Sequence, residues 1–118
     1  MESRVTQAVA TFESGYTCAQ AVFVTYADLF GMDRETALKL SSPMGGGVGR
    51  MREICGVVSA MALLAGLKEG NTDPENEAGR EQIYVLTRKL ADKFKEKNHS
   101  IICRELLGIE GREESAKP

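Results

Sequence analysis

The sequence contains no tryptophan, one histidine and only three cysteines among its 118 residues. Aromatic residues make up 6% of the chain, so few rings are available to stack on nucleobases. The formal net charge is −2 and the basic residues are scattered, which leaves no positive patch for nucleic acid or for an anionic membrane. We therefore expect partners other than nucleic acid.

Long apolar runs and targeting segments are also lacking. The longest apolar stretch, Ile54 to Leu67, is too short to span a bilayer. The first four residues lack the basic and apolar regions of a signal peptide. We therefore expect a cytoplasmic protein with no membrane insertion. In that compartment cysteines more often serve redox or metal chemistry than structural disulfides.

The remaining composition is that of an ordinary globular protein, with 42% hydrophobic and 27% charged residues. Apolar residues recur at helical spacing along the chain, and no alternating run of strand length competes with them. The sequence predicts an all-α fold, a compact bundle of five or six helices around a central apolar helix. We expect a single helical domain over residues 1–110 and a polar tail over 111–118.

Several helix starts can be predicted from capping residues. Thr17 with Gln20 has the form of a capping box, and Asp33 is a typical N-cap. Asp73-Pro74 predicts the start of a fifth helix of about 24 residues, and Ser100 predicts the cap of a short last helix. The central apolar helix is predicted to run from about Met51 to Leu67.

Cys18, Cys55 and Cys103 are each placed by their local sequence at or near a helix start. A helix N-terminus carries partial positive charge and free N–H groups, which favour the thiolate, the form that attacks disulfides and binds metals. One such cysteine alone is more often a small buried hydrophobe. Three in the same kind of context favour chemistry, so all three are candidate catalytic residues and candidate metal ligands.

A glycine-rich loop precedes the predicted central helix. Its backbone N–H groups could form an anion-binding nest, which makes Gly46, Gly47, Gly49 and Arg50 candidate cofactor-binding residues. Alternatively, the glycines permit left-handed dihedral angles and close packing around the core helix, and we favour this reading. The phosphate-loop and dinucleotide-binding patterns do not match.

The cysteine contexts resemble a family of proteins of proposed redox activity that is named for the cysteine pattern C-GCAxxG-C-C. The resemblance covers Gly15 to Gly108. It rests on residues 15–22 (GYTCAQAV), the loop 45–50 (GGGVGR), residues 53–56 (EICG) and residues 100–108 (SIICRELLG). It implies a small bacterial or archaeal protein that performs redox work and can bind an iron–sulfur cluster. Cys18, Cys55 and Cys103 then become its redox or ligand residues.

The chain departs from the family pattern in two ways. The Cys-Gly-Ala-x-x-Gly element reads Cys55-Gly56-Val57-Val58-Ser59-Ala60, with two small apolar replacements. Similar proteins also have a fourth cysteine beyond the third, whereas no cysteine follows Cys103. We therefore do not expect a four-thiolate cluster within this chain. A dithiol–disulfide couple needs only two cysteines.

Three hypotheses follow. In the first, two of the three cysteines cycle between dithiol and disulfide with an unknown redox partner, as in a thiol-dependent oxidoreductase, and Cys18 is the favoured nucleophile. In the second, the three thiolates bind a metal ion or an iron–sulfur cluster without turnover, with Glu53 or His99 as a further ligand. In the third, the chain is a helical interaction module with a decayed site, and the sulfurs lie in separate apolar pockets. A homodimer is plausible for helices this apolar.

Overall fold

The computed structural model describes residues 3–109, and its regular structure within that range is helical, which confirms the all-α prediction. The polar tail predicted for residues 111–118 lies outside the described residues. The α-helices are α1 (Val5–Glu13), α2 (Cys18–Ala27), α3 (Arg34–Ser41), α4 (Gly56–Glu69), α5 (Glu77–Asn98) and α6 (Cys103–Leu107), and short 3₁₀ turns cover Asp28–Phe30 and Ser42–Met44.

The capping residues predicted for α2 and α3 are confirmed. The Thr17 hydroxyl accepts the Gln20 N–H at 3.2 Å, and the Gln20 side-chain oxygen accepts the Thr17 N–H at 3.1 Å. The Asp33 carboxylate accepts the Thr36 N–H at 3.1 Å. Thr17 therefore fixes Cys18 as the first residue of α2, as the sequence predicted.

The predicted start of the apolar helix at Met51 is wrong, because α4 begins at Gly56. Arg50 and Arg52 have positive φ angles of 59° and 61°, which a right-handed helix cannot accommodate. The glycine-loop conformation thus continues beyond the glycines themselves. Cys55 is the N-cap of α4, with a φ of −56° and a ψ of 135°.

The predicted helix start at Asp73-Pro74 is also wrong. α5 begins at Glu77, and the Asn76 side chain caps it by accepting the Gly79 N–H at 2.9 Å. Asp73 instead stabilises the preceding turn, where its carboxylate accepts the Glu75 N–H at 3.0 Å.

The prediction that Ser100 caps the last helix is wrong. Ile102 is the N-cap of α6, which begins at Cys103. The Ser100 hydroxyl accepts the Ile102 N–H at 3.0 Å and donates to the Glu105 carboxylate at 2.7 Å. Ser100 thus holds the turn that leads into α6.

The core lies between α2, α3 and α4. α2 contacts α1, α3 and α4, while α5 packs on α4. α2 contributes the largest share of buried side chains, so it occupies the centre together with α4. The buried cluster consists of Phe23, Val24, Ala27, Ala37 and Ala60. Alanines at these positions let the helices approach closely, with Phe23 as the one large buried ring.

Within residues 3–109, no helix combines the length and the hydropathy needed to cross a lipid bilayer.

Candidate functional site

The three cysteines meet at one small cavity. Cys18, Cys55 and Cys103 all line a space of about 60 Å³. The other residues that line it are Gly47, Gly56, Leu106 and Leu107. The fold therefore gathers thiols that are 37 and 48 positions apart along the chain. A decayed site would place the three cysteines in separate apolar pockets, whereas here they line the same cavity.

Cys18 and Cys55 form a hydrogen-bonded pair at the starts of α2 and α4. Gly56 permits this approach, because a Cβ atom there would lie 2.8 Å from the Cys18 sulfur and 2.9 Å from the Ala19 Cβ. Any larger residue would push the two helix starts apart. The glycine after Cys55 is therefore a packing requirement of the thiol pair.

The environment of the pair favours a thiolate on Cys55. Its pKa is lowered from 9.0 to about 6, first because the Cys18 thiol donates a hydrogen bond to its sulfur. The backbone N–H groups of Val57 and Val58 lower the Cys55 pKa further, against the opposing effect of burial. The Cys18 pKa is raised well above its ordinary value by the same hydrogen bond, by burial and by repulsion from Cys55.

The difference in pKa favours Cys55 as the nucleophile, whereas the sequence favoured Cys18. Both cysteines lie at helix starts. The Cys55 sulfur, at the N-cap of α4, interacts with two N–H groups, whereas the Cys18 thiol is the hydrogen-bond donor to Cys55. The capping box of α2 identifies a helix start, but it cannot indicate which thiol of a pair retains the proton.

A short antiparallel pairing brings Cys103 to the other two cysteines. Ile54 and Ile102 form an isolated β-bridge. Beside it, the Cys55 N–H donates to the Ile101 carbonyl at 2.7 Å, and the Cys103 N–H donates to the Glu53 carbonyl at 2.5 Å. These bonds join segments almost 50 residues apart, and sequence periodicity gave no signal for them.

Arg52 is a site residue that sequence reasoning missed. It is fully buried, and its guanidinium Nη1 lies 3.8 Å from the Cys103 sulfur, within hydrogen-bonding distance for sulfur. Its backbone N–H donates to the Gly46 carbonyl at 3.0 Å, and its carbonyl accepts the Arg104 N–H at 3.2 Å. The loop and α6 thus fix a buried cation beside the third thiol.

The glycine loop has the close packing that the sequence favoured. Residues 46–50 all have positive φ angles, between 56° and 71°, and include the β-branched Val48, for which such an angle is costly. A Cβ atom on Gly47 would lie 2.6 Å from both the Cys103 Cβ and the Glu53 nitrogen. Gly47 therefore forms part of the wall against which Cys103 packs.

Two backbone N–H groups of the same loop donate hydrogen bonds to carbonyl groups within or next to the loop. The Gly49 N–H donates to the Pro43 carbonyl at 2.8 Å, and the Arg50 N–H donates to the Gly45 carbonyl at 3.2 Å. These two groups are therefore engaged within the loop. A nest formed by Gly46, Gly47, Gly49 and Arg50 thus has fewer donors for an anion than the sequence suggested, and cofactor binding there stays a prediction.

Glu53 and His99 lie outside the three-cysteine cavity. Glu53 is exposed and its carboxylate pairs with Arg104 at 3.2 Å. His99 is an exposed C-cap of α5 with a φ of 74°. Neither side chain lines the cavity.

The donor set does not fit a metal centre. In the part of the chain that is described, no group of three or more His, Cys, Asp or Glu side chains is arranged to hold a metal ion. The three cysteines share a cavity but form no such group.

The thiol pair is reachable from one side. Cys18 and Cys55 line an apolar groove of about 380 Å³ between α1 and the starts of α2 and α4. Cys103 is only 5% exposed and lines the inner cavity instead. The site thus has two thiols open to a groove and a third behind them.

Fold and site together define a small all-α protein with a polarised thiol pair and a buried third thiol. The comparison with family models agrees: residues 16–118 match the family described as "Putative redox-active protein (C_GCAxxG_C_C)". The chain belongs to this family, and a redox role in general follows. No curated protein and no solved structure gave a significant match.

Proposed function

We propose that this protein is a cytoplasmic thiol-dependent oxidoreductase in which Cys55 and Cys18 form a dithiol–disulfide couple. The observation that carries the proposal is that Cys18 and Cys55 meet at one cavity and both line the apolar groove. The hydrogen bond between the two thiols lowers the Cys55 pKa and favours the thiolate there. The thiolate is the form that attacks a disulfide. The apolar groove beside the pair gives a substrate disulfide a route to Cys55.

The proposed reaction is an exchange in two steps. The Cys55 thiolate attacks one sulfur of a substrate disulfide, forms a mixed disulfide and releases the first substrate thiolate. Cys55 is then uncharged, so the hydrogen bond and the repulsion that raise the Cys18 pKa are lost. Cys18 gives its proton to solvent and attacks the Cys55 sulfur. The second substrate thiolate leaves, the substrate gains two electrons, and the pair becomes a disulfide.

Trapping the mixed disulfide tests the order of attack. In a Cys103→Ser background, which removes the third thiol of the cavity, Cys18→Ser blocks the second step, so oxidised glutathione should leave one glutathione on Cys55, as seen by peptide mass spectrometry. Cys55→Ser is the matched control and should react far more slowly at Cys18. Glutathione accumulating on Cys18 in Cys55→Ser at the rate seen on Cys55 in Cys18→Ser would contradict the assignment of the nucleophile.

The two alternative functions have less support. A metal-binding role lacks a fitting donor set among residues 3–109. A purely structural role gives no reason for three thiols to share a cavity of about 60 Å³, or for a buried guanidinium to lie beside one of them.

A further inference from the structure

A dithiol couple needs two sulfurs, but the cavity holds three. Cys103 faces the same 60 Å³ space as the other two, and it is close enough to Cys18 for its charge to raise the Cys18 pKa. It is also buried and set apart from the apolar groove. A bulky substrate in the groove would therefore meet Cys55 or Cys18 before Cys103. These facts point to an internal role.

We propose that Cys103 is a resolving thiol, which attacks the Cys18–Cys55 disulfide at Cys18, forms a Cys18–Cys103 disulfide and releases Cys55. This inference rests on the proposed function, because it needs the first disulfide as its substrate. It assigns the third cysteine a place in the reaction sequence, after the substrate has left.

The direction of the attack follows from the leaving group. In thiol–disulfide exchange, the sulfur with the lower thiol pKa leaves faster. Cys55 is the better leaving group, because the N–H groups of Val57 and Val58 stabilise its thiolate. Attack by Cys103 at the Cys18 sulfur expels Cys55, whereas attack at the Cys55 sulfur would expel Cys18, whose thiolate has one N–H group beside it, that of Ala19, in place of two.

Arg52 positions the attacking thiol. Its guanidinium Nη1 lies 3.8 Å from the Cys103 sulfur inside the protein, within hydrogen-bonding distance for sulfur. Gly47 allows the loop to lie against the Cys103 Cβ, and a side chain there would collide with it.

The step balances without any outside oxidant. Cys103 loses its proton to solvent, the bond between Cys18 and Cys103 forms, and the bond between Cys18 and Cys55 breaks. Cys55 leaves with the electron pair as a thiolate. No net oxidation occurs in this step. The consequence is that the oxidised protein retains a reactive thiolate, which can attack a second substrate disulfide.

Disulfide mapping of the oxidised full chain tests the relay. The reduced protein is treated with oxidised glutathione until two thiols are lost, labelled with a maleimide to stop exchange, and digested without reduction. We expect a Cys18–Cys103 linkage with the label on Cys55. A Cys18–Cys55 linkage with the label on Cys103 would overturn the relay and leave the proposed function intact. A Cys55–Cys103 linkage with the label on Cys18 would overturn both the relay and the pairing of Cys18 with Cys55. Formation of no disulfide at all would overturn both.

Two kinds of variant separate the relay from a structural role. Cys103→Ser should give a Cys18–Cys55 linkage and no free thiol, so that maleimide labelling falls from one equivalent to none. Arg52→Met should slow the replacement of free Cys103 by free Cys55 by about threefold or more, because it removes the nitrogen that holds the Cys103 sulfur in place. Arg52→Lys keeps a nitrogen donor on the side chain and should restore the rate at least in part. Equal slowing by Arg52→Met and Arg52→Lys would contradict the positioning role of Arg52.

Discussion

The pH dependence of Cys55 alkylation is the sharpest consequence of the site geometry. A pKa of about 6 in place of 9.0 means that Cys55 is a thiolate through most of the neutral range. At pH 7 the thiolate fraction rises from about 1% to about 90%, a gain of about 90-fold. The lower pKa also weakens the sulfur as a nucleophile, by about 15- to 30-fold over three units. The net gain in rate at pH 7 is therefore only about 3- to 6-fold.

The advantage of Cys55 grows as the pH falls. At pH 5 its thiolate is still about 9% populated, against about 0.01% for an ordinary cysteine, so the net gain is about 30- to 60-fold. The sign is fixed by the lowered pKa: Cys55 reactivity is fully present above pH 7 and is lost as the pH falls through 6.

The assay is the rate of iodoacetamide labelling of each cysteine peptide between pH 4 and pH 9, followed by mass spectrometry. We expect a midpoint near pH 6 for Cys55 and a plateau above pH 7. Cys18→Ala removes the hydrogen-bond donor that contributes most to the shift, so the midpoint should move upward in that variant. A Cys55 labelling rate that keeps rising up to pH 9, with no inflection near pH 6, would contradict the lowered Cys55 pKa.

Three further predictions concern stability and are measured by urea unfolding. Gly56→Ala should destabilise the fold by about 1–3 kcal/mol through overpacking against Cys18. Gly66→Ala in the same helix, with open space around it, should stabilise the fold by up to about 1 kcal/mol. Equal effects of the two substitutions would contradict the close approach of Gly56 to Cys18. Thr17→Ala removes the capping box and should cost about 1 kcal/mol, and an unchanged midpoint would show that the cap contributes nothing. Glu53→Gln breaks an exposed ion pair and should change stability by less than about 1 kcal/mol, so a larger loss would contradict the weak pair.

Local sequence patterns predicted the parts of the fold that depend on neighbouring residues. The helical periodicity identified the all-α class, and the side chains of Thr17 and Asp33 identified two helix starts, because capping is a contact between residues three positions apart. Asp73 failed as a cap because Asn76, nearer to the helix, took that role.

Non-local pairing decided the rest of the site. The Ile54–Ile102 bridge and the left-handed loop fix where α4 begins and bring Cys103 to the other thiols. The burial of Arg52 follows from the same arrangement. The sequence did identify all three cysteines as candidate site residues, from their shared local context, but the polarity of the Cys18–Cys55 pair depends on a contact between two helices.

The most direct test of the central claim is a redox titration of Cys103→Ser in glutathione buffers, with the free thiols trapped and mapped at each ratio. The Cys103→Ser variant isolates the couple from the third thiol. We expect one two-electron transition in which Cys18 and Cys55 lose their labels together and become linked to each other. Separate glutathione adducts on the two cysteines, or two free thiols throughout the range, would contradict it.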